Sequence, residues 1–86
     1  AAGAAVSSER WVSAQLAISE LEAARNDSVS ALASLDTLYV ERSNAVAEGK
    51  ARGGAEQIDA ARKTALAVVD SQNDRIDAIK GRLAQP

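Results

Sequence analysis

Gly49-Lys50-Ala51-Arg52-Gly53-Gly54 decides how this chain folds. The stretch holds three of the five glycines of an 86-residue sequence whose sole proline stands at position 86. Neither Gly nor Pro occurs between Val6 and Glu48, nor between Ala55 and Lys80. Ala, Leu, Glu, Arg and Gln dominate both flanks, and these are good helix formers. Glycine accepts the positive φ that a tight turn and a helix C-terminus require. The stretch therefore predicts a turn over 49–54, resting on Gly49, Gly53 and Gly54. It separates a helix over about 6–48 from a helix over about 55–84.

Outward from the turn, the apolar residues keep a helical period. In the first flank Trp11, Ala14, Ile18, Leu21, Arg25, Ser28, Leu32, Leu35, Tyr39, Arg42 and Val46 follow alternating steps of four and three. In the second, Ile58, Arg62, Ala65, Val69, Gln72, Ile76, Ile79 and Leu83 do the same. This is the seven-residue repeat of helices that wrap around each other. Val12, Val29, Leu38, Val40, Leu66 and Val68 lie beside these stripes. Stripes widened in this way suit a helix with more than one neighbour. The expected fold is all-α: one helical domain over 1–86, an antiparallel two-helix hairpin with coiled-coil-like packing. Two such hairpins are expected to meet in a four-helix bundle.

Asn26-Asp27-Ser28 offers an alternative. Asp27 or Ser28 could cap a new helix, giving three helices near 6–25, 28–48 and 55–84. The heptad phase runs through Arg25 and Ser28 without a skip, however. A reversal with almost no loop residues is also unusually tight for antiparallel helices. One long first helix is the expectation.

Composition excludes several classes of chemistry. Cys, His, Met and Phe are absent, so there is no disulfide, no Cys or His metal site, no thiol nucleophile and no Ser-His-Asp triad. Ala supplies 20 residues of the 47% counted as hydrophobic, which leaves few large side chains for a core. A chain this thinly cored, without disulfide or metal, gains stability by packing on another copy or a partner. No run of 18 apolar residues occurs, and Ala1-Ala2-Gly3-Ala4-Ala5 lacks the basic and apolar regions of a signal peptide.

Charge is split between the arms. Residues 1–48 carry three basic and seven acidic side chains, residues 49–86 seven basic and five acidic. Opposite net signs favour antiparallel pairing. A turn centred near residue 51 would place side by side residues whose numbers total about 103. The expected neighbours are Glu41 and Arg62, Arg42 and Asp59, Asp27 and Arg75, and Arg25 and Asp77. The same register leaves residues 6–17 without an intrachain partner. Val6, Trp11, Val12, Leu16 and Ile18 then form the candidate interface, meeting a second copy in a dimer of hairpins or a helical protein partner.

Other constellations read as structural. Gly49-Lys50 precedes Gly53-Gly54, the wrong order for a phosphate loop, and no strand leads into it. Glu20, Glu22, Glu56, Asp59, Asp70, Asp74 and Asp77 lie mostly off the stripes, and no His accompanies them, so they read as a solvated face. Lys50, Arg52, Arg62 and Lys63 form a candidate anion contact near the turn, diluted by Glu48, Glu56 and Asp59. A formal net charge of -2 and the lack of interleaved aromatics argue against nucleic acid. Arg25, Ser28, Gln72 and Asn73 form either a buried polar layer or an opening of the seam to solvent. Tyr39 reads as a core residue whose hydroxyl reaches water.

No residue is assigned to catalysis, to a metal or to a cofactor. The expected role is structural: self-association, spacing or docking. Two other readings remain at this level. Soluble coiled-coil parts of envelope-associated and phage lysis proteins are similar in composition and shape, though no motif here carries that analogy. Membrane contact would then come only through segments flanking this sequence. A small adaptor whose basic turn meets an anionic surface is the other reading.

Overall fold

Two helices, α1 (Ala2–Ala47) and α2 (Ala55–Ala84), lie against each other and are joined by residues 48–54. The computed structural model describes the backbone of residues 2–84 and the side chains of residues 9–84. At 1.5 Å per residue, 46 residues of helix span about 69 Å, and the molecule measures 70 × 15 × 13 Å. The rod is therefore one long helix with a shorter one beside it. α1 continues unbroken through Asn26-Asp27-Ser28, so the three-helix alternative does not hold. The Ser28 hydroxyl donates back to the Ala24 carbonyl at 3.0 Å, a bond made within a helix rather than at its start.

The heptad seam is the core. Ile18 and Val69 are buried, and Ile76 is only 1% exposed. Most other stripe residues, from Ala14 to Arg42 and from Ile58 to Leu83, are half-buried. Trp11 and Val46 are the exceptions, because each lies on α1 where α2 does not reach. Val12, Val29, Leu38, Val40, Leu66 and Val68 are all exposed. They do not widen the seam within the chain, since each helix of a hairpin has only one neighbour to cover it.

The connection explains the register. Lys50 N–H donates to Ala45 O at 2.8 Å and Gly49 N–H to Val46 O at 3.1 Å. This pair of bonds, around Gly49 at φ 75°, is a Schellman cap, which satisfies carbonyls that the helix end leaves free. Gly54 enters α2 at φ 92°, and its carbonyl accepts from Ile58 N–H at 3.1 Å. The φ of Gly54 favours glycine, and a Cβ there would also sit 3.0 Å from Arg42 Nε and press on that guanidinium.

Arg25–Asn73 and Asp36–Arg62 hydrogen bonds then join residues whose numbers total 98. The expected total of about 103 is corrected by this pairing. The last turn of α1 overshoots the start of α2, and the loop folds back beside it. Residues of α2 consequently meet α1 partners about five positions earlier than a symmetric turn would set. None of the four expected pairs forms: Arg62 pairs with Asp36 rather than Glu41, and Arg25 with Asn73 rather than Asp77.

Arg25, Ser28, Gln72 and Asn73 form a half-buried polar layer across the seam. Arg25 Nη1 donates to Asn73 Oδ1 at 3.2 Å, and Gln72 Oε1 is buried without a hydrogen-bond partner. A buried unpaired acceptor loses its water without compensation. Replacing Gln72→Leu should therefore raise unfolding free energy by about 1 kcal/mol. Ile76→Ala, which empties a filled position, should lower it by about 2–5 kcal/mol. Urea unfolding followed by circular dichroism reads both changes.

Candidate interaction surface

The register leaves α1 running past the described end of α2. By the observed register Ala84 lies level with residue 14, so residues 2–13 have no partner helix among the described residues. Where the two helices part, Trp11, Ala14 and Ala17 of α1 face Ile79 and Leu83 of α2 across an open trough of about 630 Å³. Arg10, Ser13 and Arg82 form its rim. An apolar floor with basic side chains at its edge suits an apolar anchor flanked by carboxylates.

Of the four expected interface residues whose side chains are described, only one lines this trough. Trp11 does, and it is 54% exposed. Val12 and Leu16 are exposed but stand on other sides of α1, one and five residues from Trp11. At 100° per residue they point well away from it. Ile18 is a correction: it is 4% exposed and belongs to the hairpin's own core, because the shifted register brings α2 over it. The side chain of Val6 lies outside the described residues. Ile79, Leu83 and Arg82 were not among the expected interface residues. The heptad stripe held the first two, but the assumed register paired them deeper along α1.

The basic residues near the turn are mostly engaged. Lys50 pairs with Glu48 at 3.0 Å and Lys63 with Asp59 at 3.2 Å. Arg62 donates to Asp36 at 2.6 Å and to Asp59 at 2.9 Å, and its guanidinium lies 4.7 Å from the centre of the Tyr39 ring. The Asp36 hydrogen bond pushes the Arg62 pKa above its ordinary value, opposed by desolvation. A cation with a raised pKa keeps its charge at every pH below that value, so this cluster holds through the neutral range. The Arg52 side chain is exposed and makes no ion pair among the described residues. Of the four candidate anion-contact residues, Arg52 alone has no ion pair among the described residues, and the Lys50 and Lys63 pairs are highly exposed.

Arg42 does a different job from the one its position suggested. Its Nε donates to Gly53 O at 2.7 Å and its Nη2 to Arg52 O at 3.1 Å. One guanidinium thereby ties two loop carbonyls to α1. The signal available in the sequence was a charged residue on the seam about two turns before the Gly-rich stretch.

No helix among the described residues is long and apolar enough to cross a membrane. No group of three or more His, Cys, Asp or Glu able to hold a metal ion occurs among them. Comparison with protein-family models, with curated proteins and with solved structures finds no match to this chain.

The forked contact predicts a difference between two substitutions at Arg42. Arg42→Ala should cost about 1 kcal/mol and speed amide exchange at Lys50 and Ile58. Arg42→Lys should recover little of the loss, because an ammonium lacks the planar fork that reaches both carbonyls. Full recovery by lysine would show that charge alone matters.

Proposed function

We propose that this chain is a structural helical module that associates with a second copy of itself, and that its task is spacing and docking rather than catalysis. The observation that carries this reading is the placement of the large apolar side chains. Three are buried in the hairpin, whereas nine are exposed, including Trp11 at the trough. Monomeric proteins do expose single apolar residues, but a rod with nine outside, three buried and the rest half-covered in the seam has an incomplete core. Association supplies the missing partner surface. The shape fits the role, because a rod of 70 Å holds its two ends far apart at little cost in mass.

Sedimentation equilibrium of the unaltered chain and of Trp11→Ala provides the test. The parent should self-associate at micromolar concentration. The variant should associate at least about tenfold more weakly, as expected for loss of a central aromatic anchor. A parent that stays monomeric and fully helical would exclude self-association and direct the search to a different protein partner.

A further inference from the structure

The two long flanks of the hairpin differ. With seam residues at heptad positions a and d, the g positions of both helices share one flank and the e positions the other. The e flank carries the cross-helix ion pair: Leu32, Asp36, Asp59, Arg62, Lys63 and Leu66 surround it. The g flank is apolar along α1, and on α2 it is apolar near the turn and basic beyond it. Ala17, Ala24, Ala31, Leu38 and Ala45 recur every seventh residue on α1, and Ala61 and Val68 face the same way on α2. Leu38 and Val68 are 47% and 44% exposed, and the trough at Trp11 is the open end of this flank.

The edges of the g flank are charged in an ordered way. On α1 the edge carries Glu20, Asp27 and Glu41, and on α2 the g positions that follow Val68 are themselves Arg75 and Arg82. Among the described residues none of these five has an ion partner within the hairpin. By the observed register, Arg82 lies level with position 16 of α1 and Arg75 level with position 23. Ordered along the rod, the levels read Arg82, Glu20, Arg75, Asp27. The charges alternate at steps of three to four residues, about 5 Å apart.

We infer that a second copy docks on the g flank, with α1 of each copy against α2 of the other and both turns at the same end of the bundle. This rests on the self-association proposed above and specifies its geometry. Two faces that meet about an axis along the rod bring the acidic edge of α1 to the g-position arginines of the partner's α2, and the levels interleave. The opposite arrangement, with turns at opposite ends, sets the acidic edge of α1 against its own copy and the arginines against theirs, which is unfavourable. Alanine at the g positions lets the helices approach closely, and Leu38 and Val68 supply the larger side chains. Along the ~45 Å where both helices run side by side, a flank about 15 Å wide offers on the order of 700 Å², close to the ~800 Å² that a standard interface takes from each partner.

Sedimentation equilibrium of Ala31→Glu and Ala33→Glu tests the face. Both alanines are exposed in the hairpin, so circular dichroism should show both variants helical. Ala31→Glu places a carboxylate in the g flank and should weaken association by at least about tenfold. Ala33→Glu, on the other side of α1, should leave it within about twofold. The chain has no Cys, so a spin label on Arg52→Cys is unique. Its separation in the dimer should fall below about 30 Å, three helix diameters. A monomeric parent overturns the association itself. A dimer equally sensitive to both glutamates, or only to Ala33→Glu, leaves association standing and overturns the face. Labels more than about 50 Å apart overturn the orientation.

Discussion

The packing of one stripe of α1 on one stripe of α2 is the contact on which every other feature depends. A two-helix hairpin gives each helix a single neighbour, so only side chains at the alternating three- and four-residue steps leave water together. Ile18, Val69 and Ile76 are buried because they stand on that line. Residues one step to either side, such as Val40 or Val68, remain exposed however apolar they are. A narrow seam also makes every polar residue on it consequential. Arg25, Gln72 and Asn73 occupy length that apolar side chains would otherwise use, and in exchange they give the seam a feature that distinguishes one register from the next.

Charge complements the seam at the turn end. Arg62 sits on the stripe but turns its guanidinium to Asp36 and Asp59 over the Tyr39 ring, so one residue links both helices and an aromatic face. Exposed ion pairs contribute little individually. Their geometric value is greater, because a slip of α2 by one heptad would separate Arg62 from Asp36. Arg42 performs the equivalent service for the loop, where Gly49 ends α1 and Gly54 begins α2.

Much of this was legible from residues alone. The Gly-rich stretch and the unbroken heptad phase specify two helices, one long, with the reversal in the right place. Both are local properties: helix propensity, glycine's φ range and side-chain period. The register was not legible, because it depends on how the seven connecting residues are spent. A Schellman cap and a returning loop carry α1 one turn beyond the start of α2, and no propensity encodes that overshoot. The error propagated to the candidate surface. A total of 103 set Ile18 at the very end of α2; a total of 98 buries it and brings Ile79 and Leu83 up to Trp11. The division of the flanks, by contrast, was present in the heptad positions of Ala17, Ala24 and Ala31. It becomes visible only once the ion pairs are seen to gather on the opposite side.

The two aromatic residues, described above as an anchor and as a seam residue, divide the molecule optically. Trp11 stands beyond the cover of α2, and Tyr39 lies within the seam under Arg62 near the turn. The indole's emission therefore follows most directly what fills the trough. The phenol follows the seam and is blind to the trough. A chain with only these two chromophores carries its own separate gauges for assembly and for folding.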